Sequence, residues 1–224
     1  MEQLESWESG AYAAEWASDD VLAGLLELPR RLSTALVADS EIEVRHVVDL
    51  GSGQGTYLQH FLRSFPEARG SWVDANDAML ELARERLAGF GDRVDYVMGD
   101  VERLDELDLD AADVVTTSRV LHHFSAESLR RVYRTAHDLL AQGGFLFNLD
   151  HIGAPGGWDK RYRRIRDQFT GARRRELKPH RQDHPLAPPD EHLGAIAEAG
   201  FDTPDVAWRT LYTVLLVARR APSA

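Results

Sequence analysis

The 224-residue sequence has no cysteine. That excludes disulfides, a thiolate nucleophile and any cysteine-ligated metal site. No apolar run approaches the roughly 18–20 residues of a membrane span. The opening stretch MEQLESWESG lacks the basic-then-apolar order of a secretory signal. These absences set the expectation of a cytoplasmic protein. Positive charge is also short: the net charge is −11, against the basic surface that general nucleic-acid binding requires. One segment departs from this. Residues 158–181 carry ten Lys or Arg against three Asp or Glu, leaving −18 for the rest of the chain. The stretch reads as an exposed helix with a solvated basic face, or as a lid that attracts an anionic substrate.

What is present is an alternation of short apolar runs and helical patterns between residues 44 and 152. The runs VRHVVDL, SWVDA, RVDYVMGD, DVVTTSRVL and GFLFNLDHI read as buried strands. Tyr57, Leu58, Phe61, Leu62 and Phe65 recur at helical spacing, as do Leu129, Val132, Tyr133, Ala136 and Leu140. Asn76 or Asp77 can cap the helix that carries Met79, Leu80, Ala83 and Leu87. Such repetition predicts an α/β fold with a parallel sheet covered on both faces. Its ligands belong at the carboxyl ends of the strands. Residues 1–40 read as an N-terminal helical cap containing Trp7, Tyr12 and Trp16, residues 41–152 as the core, and 153–190 as a lid. Residues 191–224 then supply a helix ending at Gly200 and a strand-like tail, VAWRTLYTVLLVARR. That tail is one strand or two, since a hairpin turn there would lack Gly and Asn. All four segments make one domain.

In VVDLGSGQGTYLQHF, Gly51, Gly53 and Gly55 follow a strand and open a helix, the context of a cofactor loop. A phosphate-cradling loop would end in Gly-Lys-Ser/Thr, yet no Lys or Arg lies between Arg45 and Arg63. A dinucleotide fingerprint would need glycine where Thr56 stands. Asp74 ends the second strand, where a carboxylate can accept bonds from both ribose hydroxyls. Asp100 can accept from an adenine amino group beside the Val101 backbone. Asp49 can face an ammonium or order the loop. The pocket is acidic and suits an adenosine ligand carrying positive charge.

With these residues placed, VVDLGSGQG, VDANDAML, MGDVERL, DVVTTSRVLHHF and LLAQGGFLFNLD resemble successive motifs of the class I S-adenosylmethionine-dependent methyltransferases. The resemblance covers about residues 40–152. It implies a Rossmann-like, mostly parallel seven-stranded sheet with helices on both faces and an antiparallel C-terminal strand. It further implies S-adenosylmethionine as cofactor, with Asp49, Gly51, Ser52, Gly53 and Gly55 at its methionine and ribose parts. Asp74 and Ala75 then lie at the ribose, Asp100 and Val101 at the adenine, and Ser118 near the methionine end, with Tyr12 as a cover. The implied function is methyl transfer to an O or N nucleophile of a small, possibly anionic molecule. The alternatives are an RNA-modifying enzyme that uses the basic segment, a non-catalytic binding protein, and a cofactor user that does not transfer methyl.

His122 and His123 fall just past the fourth strand, where either can act as base or only shape the pocket. Asp150 and His151 end the fifth strand near the expected acceptor. They can bind it, or join another oxygen ligand around a metal, but no full ligand set accompanies them, so no metal is expected. His180 and His184 fall in a loop and read as solvated histidines, the alternative being a loop folded over the site. Trp158, Tyr162 and Phe169 are candidates for an acceptor wall.

Overall fold

The computed structural model describes residues 20–170 and 185–222. Trp7, Tyr12, Trp16, Arg173–Arg175, His180, His184 and the Phe169 side chain lie outside the described residues.

Helix α1 (Asp20–Ala38) precedes β1 (His46–Leu50) and α2 (Thr56–Ser64). The chain continues through β2 (Arg69–Asp74), α3 (Asp77–Leu87), β3 (Val94–Met98) and β4 (Ala112–Ser118). Helix α4 (Ala126–Leu139) leads into the long β5 (Leu140–His151), followed by α5 (Trp158–Thr170) and α6 (Pro189–Glu198). The chain closes on β6 (Asp202–Thr210) and β7 (Thr213–Arg219). The seven strands lie in the order β3-β2-β1-β4-β5-β7-β6. The first five are parallel, and β7 runs antiparallel to both β5 and β6. Strand order reverses between β1 and β4, so the ends of those strands open the crevice where α/β sheets bind ligands.

The sequence patterns translate with two shifts. The fourth apolar run leaves the sheet at Ser118, because Arg119 takes a positive φ of 59°. Leu140 opens β5 instead of closing α4. Asn76 is the helix cap, its side chain accepting from the N–H groups of Ala78 and Met79. Both faces of the sheet are covered. Val48, Val115, Leu146 and Leu216 pack with α4 and α6, and Val47, Val114, Phe147 and Leu215 pack with α1, α2 and α3. Each fully buried Phe or Leu contributes about 1.5–3 kcal/mol relative to exposure, so burying both faces fixes the register on which the site depends.

The tail is a hairpin of two strands. Its two-residue turn, Leu211–Tyr212, has neither Gly nor Asn, and Leu211 itself takes a φ of 57°. One bond from outside the hairpin and one within it hold the turn: the Ile152 N–H donates to the Tyr212 carbonyl at 2.7 Å, and Arg209 Nε, two residues away in β6, to the Leu211 carbonyl at 2.9 Å. These bonds replace the Gly or Asn that a sequence reading looks for.

Candidate active site

The glycine loop is shaped by what lies under it. Gly51, Gly53 and Gly55 all have positive φ (63°, 55° and 80°), a region that costs an L-residue about 1–2 kcal/mol. Space adds to this at two of them. A Cβ on Gly51 would meet Val120 Cγ2 at 2.2 Å, and one on Gly55 would meet Leu87 Cδ1 at 2.7 Å. Asp49 is 1% exposed and pins the loop. It accepts from Ser52 Oγ (2.6 Å), Thr116 Oγ1 (2.7 Å) and the Leu58 N–H (3.3 Å). Burial pushes its carboxyl up to about 6, against these hydrogen bonds and the Arg30 charge. Trp72 Nε1 donates to the Gly53 carbonyl at 2.6 Å, tying the loop to β2.

Above the loop lies a cavity of about 640 Å³, in the range of small-molecule and cofactor sites. Seven of the expected cofactor residues line it: Gly51, Gly53, Asp74, Ala75, Asp100, Val101 and Ser118. Three others, Asp49, Ser52 and Gly55, do not. Of the two roles expected for Asp49, ordering the loop is the one its bonds perform, and Ser52 serves it. Asp74 Oδ2 accepts from the Gly53 N–H at 2.8 Å and Oδ1 from the Asn76 N–H at 3.0 Å. Both oxygens are thereby fixed at the cavity wall, while burial pushes the carboxyl upward. Asp100 caps the following 3₁₀ turn through Oδ1, which accepts from the Glu102 N–H at 2.9 Å. Ser118 Oγ is buried without a hydrogen-bond partner, as expected of a group that waits for a ligand.

Arg119 escaped the sequence reading. It lines the cavity together with Asp74, Asp77 and Asp100, and no other Arg or Lys among the described residues does so. Its positive φ turns the chain out of β4 while its N–H donates to the Leu149 carbonyl at 3.0 Å. One arginine among several carboxylates suits a zwitterionic ligand that bears both a carboxylate and cationic groups. Arg119 also lines a second cavity of about 290 Å³, walled by α1, α5 and the β6–β7 hairpin.

Between the cavities runs a row of three histidines. His123 lines the cofactor-side cavity and His151 the smaller one. His122 lies between them, its ring centroid 3.9 Å from that of His123 and 5.2 Å from that of His151. Asp150, wholly buried, accepts from His122 Nδ1 (2.6 Å), the His122 N–H (3.0 Å) and the His151 N–H (2.7 Å). Burial alone would raise this carboxyl. The His122 charge and hydrogen bond outweigh it and hold the group well below the usual carboxylate range. Two positions back on β5, Asn148 Nδ2 donates to Tyr133 Oη (2.8 Å), which pairs with His192 Nδ1 (2.9 Å). This second buried network stiffens the strand that carries Asp150. His122 and Asp150 therefore form one internal pair lining neither cavity, and His123 and His151 are the histidines that face open space. No cluster of metal-ligating side chains occurs among the described residues.

The expected aromatic wall differs. Trp158 and Tyr162 pack on each other with ring centroids 5.6 Å apart, and neither lines either of these two cavities. From helix α5 it is Ile165 and Arg166 that line the smaller one.

Residues 47–144 match the family model described as a methyltransferase domain. The chain carries a methyltransferase domain. It is 34% identical over 110 residues to 3-amino-4-hydroxybenzoate 4-O-methyltransferase of Streptomyces cremeus, covering 48% of this chain and 29% of that one. It is 32% identical over 160 residues to aclacinomycin 10-hydroxylase RdmB of Streptomyces purpurascens, covering 70% and 41%. An O-methyltransferase family protein from Burkholderia thailandensis superposes with a TM-score of 0.70 at 22% identity, over 94% of this chain and 60% of that one. The chain thus spans less than half the length of either curated relative. The walls of the larger cavity, which include Asp74, Asp100 and Arg119, fit the hydroxyl, amino and carboxylate groups of S-adenosylmethionine in their chemistry. No described helix is long and apolar enough to cross a membrane.

Proposed function

We propose that the protein transfers a methyl group from S-adenosylmethionine to an oxygen, or less favourably a nitrogen, of a small-molecule acceptor. The observation that carries this reading is the pair of adjoining cavities sharing Arg119, one walled by carboxylates and glycines, the other mostly apolar. When bound, the cofactor supplies an electrophilic methyl on a sulfonium. This chain's own work is then positioning: Asp74 and Asp100 hold the nucleoside, Arg119 the methionyl carboxylate, and the second cavity the acceptor. Bringing the acceptor oxygen into line with the carbon–sulfur bond can account for roughly 7–11 kcal/mol of barrier lowering. The cofactor held there would supply the methyl that the acceptor oxygen takes up, with S-adenosylhomocysteine as the other product. The hydroxyl proton passes to the histidine row, where Asp150 stabilises positive charge on His122 through Nδ1. A net anionic acceptor suits the arginines at the smaller cavity.

A relative named as a hydroxylase favours a second reading, in which the cofactor is bound without transfer. Incubation with methyl-labelled S-adenosylmethionine and a panel of phenols, hydroxy acids and amines separates the two. Acceptor-dependent release of S-adenosylhomocysteine with label in the product supports transfer. Product bearing a new oxygen and no label overturns it.

A further inference from the structure

The smaller cavity has one wall that the cofactor does not explain. Tyr212 lines it and is 1% exposed, yet its hydroxyl has no hydrogen-bond partner. A buried hydroxyl left unmet costs its desolvation, and native structures avoid this unless something else meets the group. Around Tyr212 the lining is apolar and partly flat: Leu25 and Leu26 on α1, Ile165 on α5, Trp208 on β6. Two guanidinium groups from α5 lie over the Tyr212 ring, Arg163 at 5.3 Å and Arg166 at 5.2 Å from its centroid. Arg163 also pairs with Asp159 at 2.8 Å, and Arg166 lines the cavity. None of the described lining residues is acidic. The His151 ring meets the Tyr212 ring edge to face, with centroids 4.9 Å apart, and leads back to the His122–Asp150 pair.

We propose that this cavity seats the methyl acceptor, that the acceptor is a planar aromatic carboxylate with a hydroxyl, and that Tyr212 selects it. The inference rests on the transfer reading above. A space of about 290 Å³ accommodates a ring system of one or two rings and little more. The flat walls of Trp208 and Tyr212 favour a planar body. The Tyr212 O–H donates to the acceptor's carboxylate, and the Arg166 guanidinium beside it supplies the countercharge. With the carboxylate anchored at the hairpin, the hydroxyl lies toward His151 and Arg119, the side on which the two cavities meet.

The test is calorimetric titration of 3-hydroxy-2-naphthoate and of 2-naphthol into the protein saturated with S-adenosylhomocysteine, in wild type, Tyr212→Phe and Arg166→Gln. Wild type should bind the naphthoate more tightly than the naphthol. Tyr212→Phe should weaken the naphthoate about 10- to 100-fold, the loss of one hydrogen bond to a charged group. Naphthol and S-adenosylhomocysteine affinities should stay unchanged. The Tm of the unliganded variant should not fall, because the deleted hydroxyl has no partner in the fold. Arg166→Gln should weaken only the naphthoate. Equal binding of both probes by wild type overturns the proposal, as does a Tyr212→Phe variant that loses both alike. If S-adenosylhomocysteine binds and neither probe does, this inference fails and the transfer reading stands. If S-adenosylhomocysteine does not bind, both fail.

Discussion

Replacing Asp150 with Asn changes one atom and tests whether the buried pair is an active element. The carboxylate accepts three hydrogen bonds: from His122 Nδ1 at 2.6 Å, the His151 N–H at 2.7 Å and the His122 N–H at 3.0 Å. An amide has one acceptor oxygen, so either orientation turns an NH₂ toward a donor. If the NH₂ faces His122 Nδ1, the imidazole must move its proton to Nε2. Breaking a buried pair by removing one partner costs 3–5 kcal/mol; the amide keeps part of the bonding, so about 3 kcal/mol is expected. For a chain of this size that corresponds to a Tm drop of about 6–12 °C. Asp150 does not line the cofactor cavity, so S-adenosylmethionine affinity should hold within about threefold, while transfer falls by a factor of about 100 or more. The pH dependence has a defined sign. The folded carboxyl lies below its unfolded value, so its stabilisation is present above about pH 4 and lost as pH falls further. The stability gap between wild type and Asp150→Asn, measured by urea unfolding, should therefore narrow below pH 4. A Tm difference under about 2 °C at pH 7, or a gap that widens in acid, refutes the reasoning.

Two further outcomes follow from the loop. Gly51→Ala places a Cβ 2.2 Å from Val120 Cγ2 at a φ of 63°. Calorimetry should show S-adenosylmethionine affinity reduced at least about tenfold, and unchanged affinity would contradict the close packing. Asp49→Asn removes a carboxyl raised from 3.8 to about 6 by burial. A raised folded value means that the contribution is full below about pH 4 and lost as pH rises through 6. The shift corresponds to about 3 kcal/mol at most. The variant should thus gain on wild type between pH 4.5 and pH 7.5 in urea unfolding, and a constant difference would show that Asp49 does not titrate there.

The strands and seven residues that line the larger cavity were legible because each obeys a local rule. Buried β-branched runs form strands, and glycine after a strand marks a backbone that bends tightly. An acidic residue at the end of β2 or β3 falls at the crevice by topology alone. The same reading missed Arg119, since a positive φ at an arginine leaves no mark in residue type. It also left the tail undivided, because Leu211 turns the hairpin with bonds from Ile152 and Arg209. Trp158 and Tyr162, expected at the acceptor, pair with each other in α5, and it is Ile165 and Arg166 that line the smaller cavity. Tyr212 was invisible as a site residue because its significance is an unmet hydroxyl, which only tertiary packing defines. Among the four catalytic candidates, sequence adjacency placed His122 beside His123, but only the fold separates a buried pair from two cavity-facing rings.

The central claim is that the glycine loop and Asp74 bind S-adenosylmethionine, and calorimetric titration with S-adenosylmethionine and S-adenosylhomocysteine tests it directly. Wild type should bind both. On the proposed placement of the ribose, Asp74→Ala removes two charge-assisted hydrogen bonds, worth roughly 1.5–3 kcal/mol each, and should weaken both ligands by at least about tenfold while the protein stays folded. A folded wild-type protein that binds neither ligand, or an Asp74→Ala variant that binds them as wild type does, would contradict the account.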